Sequence, residues 1–158
     1  MSDASALLEL LAPVLERLAQ EDVEDPTLAS RLNAELPLGG ETMQAIRGAV
    51  VTGLAAGWLT PREAGGVRFG RLAKSTDDSC GFSIDAVDMD GPGPGHTHPN
   101  GEIDLCFDLE GAPTFDGAAP GWTVYGAGSW HVPTVTGGRM AILYFLPGGA
   151  MKFGPRPD

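Results

Sequence analysis

The chain has 158 residues, 42% of them hydrophobic, and a formal charge of −11. That length suits one domain with a real core and argues against disorder throughout. The charge leaves no basic stripe for nucleic acid or an anionic membrane surface, and an anionic substrate would need a local arginine or lysine.

The first 65 residues read as helical. Leu7, Leu11, Val14 and Leu18 recur at three-to-four spacing, with Leu8 and Leu15 widening the stripe, and Pro13 inside it is expected to kink or divide the helix. Asp25-Pro26 reads as an N-cap followed by proline at the first helical position, opening a short helix that ends before Pro37. Gly39-Gly40 separates it from a third helix with Met43, Ile46, Val50 and Leu54 on one face, and Thr60-Pro61 should end the region. These stripes predict helices packed outside a sheet or forming a dimer contact.

From residue 66 onward strand signals take over. Cys80, Phe82, Ile84 and Ala86 alternate with Gly81, Ser83, Asp85 and Val87 as in a half-buried strand. Further strands are expected over 67–73, 102–107, 123–125, 130–135 and 140–146, separated by breaks such as Gly91-Pro92-Gly93-Pro94-Gly95 and Gly117-Ala118-Ala119-Pro120-Gly121. Many short strands at this spacing predict an antiparallel sandwich or barrel. The tail from Gly148 reads as loose unless Met151 and Phe153 pin it. The expected organisation is a helical segment, 1–65, packed on a barrel, 66–158.

All three histidines fall where one mononuclear metal site would want them. His96 and His98 are two apart, so a strand points both to one face, and His131 follows a Gly-rich bend. Pro99-Asn100-Gly101 is a strong turn signal, and a hairpin there would return Glu102 beside the two histidines. Parity then places Asp104 and Cys106 on the face of Glu102. Three imidazoles and a carboxylate suit one divalent ion such as Fe(II), Mn(II), Co(II), Ni(II) or Zn(II).

These residues carry a resemblance. The segment 67–146 resembles the cupin superfamily, a mainly β, antiparallel jelly-roll barrel: His96, His98 and Glu102 match the ligands of its first motif, and Gly128 and His131 match its second. Gly91 and Gly111 are spaced differently from the motif glycines, Gly126 stands where proline is usual, and Val135 where asparagine is usual. The whole chain is similar to the bacterial 4-hydroxylaminobenzoate lyases. The similarity is sharpest in His96-Thr97-His98-Pro99-Asn100-Gly101-Glu102-Ile103-Asp104 and Gly128-Ser129-Trp130-His131-Val132-Pro133, and includes Ala49-Val50-Val51-Thr52-Gly53-Leu54. The resemblance implies a metal-dependent carbon–nitrogen lyase that turns 4-hydroxylaminobenzoate into 3,4-dihydroxybenzoate and ammonia during nitroaromatic breakdown.

On this reading His96, His98, Glu102 and His131 hold the metal, and Glu102 and Asp104 are the candidate catalytic residues, with Asp104 handling protons. Cys106 reads as a small buried hydrophobe. Trp122, Trp130, Tyr125 and Tyr144 are candidates to stack on an aromatic substrate, and Arg139, Arg71, Arg68 and Lys74 to hold its carboxylate. An Fe(II) dioxygenase and a non-catalytic metal- or ligand-binding cupin are the competing readings. The expected partners are a small aromatic substrate and a second copy of the chain. Met1-Ser2-Asp3 lacks a basic leader, no apolar run approaches a membrane span, and Cys80 and Cys106 form no C-x-x-C pair, so the cytoplasm is the expected location.

Overall fold

Helix α1 (Asp3–Leu18) buries Leu7, Leu11, Val14, Leu15 and Leu18 and is capped by the Ser2 hydroxyl, which accepts from the Ser5 backbone N–H. It runs through Pro13 as one helix, so of the two expected outcomes, kink or division, division does not occur. Helix α2 (Leu28–Glu35) starts two residues later than the sequence suggests. The Asp25 carboxylate accepts from the backbone and hydroxyl of Thr27, closing a turn ahead of the helix. Helix α3 (Glu41–Ala56) buries Met43, Ile46, Val50 and Leu54, the expected face. The computed structural model describes residues 2–157. No helix among them is long and apolar enough to cross a membrane.

Nine strands follow: β1 (Arg62–Ala64), β2 (Val67–Ala73), β3 (Phe82–Met89), β4 (His96–His98), β5 (Glu102–Phe115), β6 (Gly121–Tyr125), β7 (Ser129–His131), β8 (Val135–Pro147) and β9 (Lys152–Phe153). They form a six-stranded sheet in the order β1-β2-β3-β8-β5-β6 and a three-stranded sheet, β7-β4-β9, with every pairing antiparallel. The chain is mainly β with an N-terminal helical segment, the class expected for a cupin barrel.

The central strands β3, β8 and β5 are buried on both faces over most of their length, and the period of two decides which residue meets which layer. Ile84, Leu105, Leu143 and Phe145 pack with Leu7, Leu11 and Ile46 of the helices. Val87, Cys106, Ile142 and Tyr144 pack in a second cluster with Phe115 and Val135. Strand β3 is therefore covered on both sides where half-burial was expected, and Cys80 lies outside it with a φ of 55°. Strand β5 runs to Phe115 with irregular register between Asp108 and Glu110 and between Gly111 and Thr114, so it is longer than its apolar run. The expected strand 130–135 is split, with β7 ending at His131 and Val135 opening β8. The tail is pinned: in β9, Phe153 pairs with His96 and Lys152 with Thr97.

The largest departure concerns Pro99-Asn100-Gly101. Strand β4 pairs with β7 and β9, whereas β5 pairs with β6 and β8, so this turn transfers the chain between sheets and closes no hairpin. Gly101 has a φ of 88°, and a Cβ there would lie 2.6 Å from Val23 Cγ2 and 2.9 Å from the Tyr125 carbonyl oxygen. Gly101→Ala is expected to cost about 1–3 kcal/mol in denaturant unfolding, from backbone strain together with the clash. A loss below about 0.5 kcal/mol, the scale of an ordinary surface substitution, would show that the crossing is not constrained there.

Candidate metal centre

Strand β4 puts His96 and His98 on one face, and the register sets His96 opposite His131 of β7. The three rings stand 4.6–4.7 Å apart, centroid to centroid. Glu102 opens β5 in the other sheet and meets them across the barrel interior. Its oxygens lie 3.2 Å from His98 Nε2, 3.6 Å from His96 Nε2 and 3.8 Å from His131 Nε2. His96, His98 and Glu102 are buried, and the His131 side chain is 11% exposed.

Each ring has an acceptor at Nδ1. His96 donates to the Pro94 carbonyl at 3.1 Å, and His131 to Asp116 Oδ2 at 2.6 Å. His98 donates at 2.9 Å to Ser129 Oγ, whose own hydrogen goes to the Gly126 carbonyl at 2.6 Å. A neutral imidazole has one N–H, so these bonds place it at Nδ1 and leave a lone pair at each Nε2. The Nε2 atoms of His96 and His131 face each other at 3.1 Å. His98 Nε2 and both Glu102 oxygens are buried without a hydrogen-bond partner. One ligand atom from each of His96, His98, Glu102 and His131 lies within 4.8 Å of the others. Converging lone pairs and a carboxylate, each ring oriented by an outer acceptor, are the donor set a divalent transition metal requires. These four residues could hold one.

The outer ring of partners was not apparent from the sequence. Asp116 receives His131 Nδ1, the Tyr125 hydroxyl and, at 2.8 Å, the Thr134 backbone N–H. Burial works against its charge, but these bonds hold its carboxyl below the usual range. Tyr125 also stacks on His98 at 5.2 Å. The α1–α2 connection supports both ligand-bearing loops, with Val23 against Gly101 and Glu24 Oε1 accepting the Ala127 N–H at 2.6 Å.

Glu102 and Asp104 share the inner face as parity predicts, and both are fully buried. Burial, and then the charge on Glu102, push Asp104 well above the usual carboxylate range. Neither Asp104 oxygen has a hydrogen-bond partner. Burial likewise raises the Cys106 thiol, consistent with a small core residue.

A cavity of about 910 Å³ borders the cluster, and of the four converging residues only His96 reaches its wall. Tyr144, Phe69, Val87, Met89 and Phe153 line it as well. The other aromatic candidates are elsewhere. Trp122 faces the helices and donates to the Leu36 carbonyl, and Trp130 donates to Gly154. Among the cationic candidates, Arg139 is tied to Asp88 and Glu110 away from the cavity, and Arg68 does not line it; Arg71 and Lys74 do.

The family model described as PnbB, 4-hydroxylaminobenzoate lyase, matches residues 9–153. A 4-hydroxylaminobenzoate lyase from Nocardioides sp. (strain LMS-CY) is 32% identical over 171 residues, covering 99% of this chain and 98% of the relative. One from Pseudomonas putida is 29% identical over 164 residues, covering 92% and 90%. An RmlC-like cupin protein from Ralstonia eutropha superposes with a TM-score of 0.44 at 14% identity, covering 60% of this chain and 64% of that one. That structural likeness bears no weight beside a family match spanning nearly the whole sequence. The chain belongs to the 4-hydroxylaminobenzoate lyase family.

Proposed function

We propose that this protein converts 4-hydroxylaminobenzoate and water to 3,4-dihydroxybenzoate and ammonia, with His96, His98, Glu102 and His131 holding one divalent first-row metal ion. The convergence of four unprotonated donor groups supports the metal assignment, and membership of a family named for this reaction supports the substrate. A bound ion would supply Lewis acidity toward the N–O oxygen.

The reaction balances without dioxygen or nicotinamide. The hydroxylamine nitrogen is reduced to ammonia while a ring carbon is oxidised. Departure of the hydroxyl leaves the ring electrophilic beside the nitrogen; water adds there, and hydrolysis of the imine releases ammonia.

The chain's own residues contribute position and protons. Tyr144, Phe69, Val87 and Met89 offer apolar wall to a flat ring. His96 connects that wall to the donor cluster. Asp104 lies one strand from Tyr144 in register and beside Glu102, and in this reading it carries a proton during turnover. The 1–65 segment supports the 66–158 barrel by packing on it and through Val23 and Glu24, and gives the metal no ligand.

Ammonia and 3,4-dihydroxybenzoate should appear one to one under anaerobic conditions, measured by enzymatic ammonia assay and chromatography. A strict oxygen requirement would overturn the assignment. Glu102→Gln should lower metal content, measured by elemental analysis, because a neutral amide replaces the one anionic ligand. Asp104→Asn should keep metal near the parent level and lose roughly 10²–10⁴ in turnover, the range for removing a general acid or base. Loss of metal together with activity would make Asp104 a support of the ligand set.

A further inference from the structure

The cavity beside His96 is lined by three cationic side chains, Arg62, Arg71 and Lys74, against one carboxylate, Asp85. In a chain of formal charge −11, that local excess runs against the background. Among the described residues, neither Arg62 nor Lys74 has a carboxylate within salt-bridge distance. Arg71 uses Nε and one Nη to bind Asp85 at 2.8 and 3.3 Å, leaving its other Nη without a partner.

Register fixes where Arg71 stands. It pairs with Asp85, Asp85 pairs with Tyr144, and Tyr144 pairs with Asp104, so these four residues form one row across the large sheet. With strands about 4.8 Å apart, the Arg71 backbone lies roughly 10 Å from that of Tyr144. The Tyr144 ring is 6.3 Å from His96. Apolar side chains, including Phe69 and Val87, line the same cavity. A cavity with a donor cluster toward one side, apolar walls and a cation two strands away fits a flat ring bearing its reacting group and an anion at opposite ends.

Resting on the reaction proposed above, we propose that Arg71, assisted by Lys74, binds the substrate's carboxylate and selects para-carboxylated aryl hydroxylamines over neutral ones. A guanidinium with free donors forms charge-assisted hydrogen bonds to a carboxylate. Asp85 orients that guanidinium and also weakens the positive field that an incoming anion meets.

The two partners of the ion pair therefore have opposite effects on anion binding, which a purely structural pair would not. The test measures binding of 4-aminobenzoate and of aniline by calorimetry to the parent, Arg71→Gln and Asp85→Asn proteins, with thermal melts to confirm folding. Arg71→Gln should weaken 4-aminobenzoate about 10- to 100-fold, the scale of a charged hydrogen bond, and leave aniline unchanged. Asp85→Asn should tighten 4-aminobenzoate. In turnover, Arg71→Gln should lower kcat/KM for 4-hydroxylaminobenzoate, chiefly through KM, and leave that for N-phenylhydroxylamine unchanged. Retained 4-aminobenzoate affinity in Arg71→Gln, or equal weakening in both variants, would overturn the proposal. If 4-aminobenzoate binding shifts as expected and 4-hydroxylaminobenzoate is not consumed, the carboxylate site stands and the reaction assignment falls.

Discussion

Glu102 is a carboxylate cut off from water, facing three imidazole nitrogens that have no proton to offer it. Burying an ionised group without a partner costs several kcal/mol, and lone pairs turned toward one another add repulsion. Cationic charge placed between them relieves both penalties. Other features follow from this constraint. The rings must be held at Nδ1 so that Nε2 stays unprotonated, and the two sheets must approach closely enough for Glu102 to meet histidines from the opposite layer. The aromatic rings of Tyr125, Tyr144 and Phe115 pack around the imidazoles and limit how far they can turn.

That requirement gives the N-terminal helices a role beyond covering apolar surface. The loops that deliver Glu102 and His131, Pro99-Asn100-Gly101 and Gly126-Ala127-Gly128, contain three glycines between them, and glycine contributes little to holding a loop in place. Both are braced from outside by the same short connection between α1 and α2, through Val23 and Glu24. The connection is in turn tied by Arg31, which binds Glu21 and Asp25 at 2.8 Å each. Exposed ion pairs of this kind contribute little stability singly, so their effect is to fix the geometry of the brace.

The donor residues were legible in the sequence because the evidence for them is local. Histidine is rare here, and two of the three sit at strand spacing, with His98 four residues ahead of Glu102. Parity along β5 also ordered Glu102, Asp104 and Cys106 on one face, since a strand has only two faces to choose from. The sheet assignment was not legible. Pro99-Asn100-Gly101 has the same turn chemistry whether the next strand pairs with the last or leaves for another sheet; long-range pairing alone decides between them. Arg71 stood among four cations with nothing to rank it, because its place in the row through Asp85, Tyr144 and Asp104 exists only once the strands are in register. The outer acceptors were hidden for a related reason. Asp116 lies 15 residues from His131 and reads as an ordinary residue in a turn before Gly117.

Asp116 shows how several weak demands converge on one residue type. Its φ of 50° lies in the left-handed region, which most side chains avoid and aspartate, asparagine and glycine tolerate. Glycine would satisfy the backbone and supply no acceptor for His131. Asparagine has one amide oxygen, and its NH₂ would point hydrogens at either the His131 and Tyr125 donors or the Thr134 N–H. Aspartate alone tolerates the backbone and accepts all three hydrogen bonds, two on Oδ2 and one on Oδ1. Its carboxylate also holds the His131 proton at Nδ1, which leaves the nitrogen that faces Glu102 free to donate its lone pair. The turn that looked like a break between strands is thus a component of the donor cluster, and its unfavourable backbone is retained because the site uses what that backbone presents.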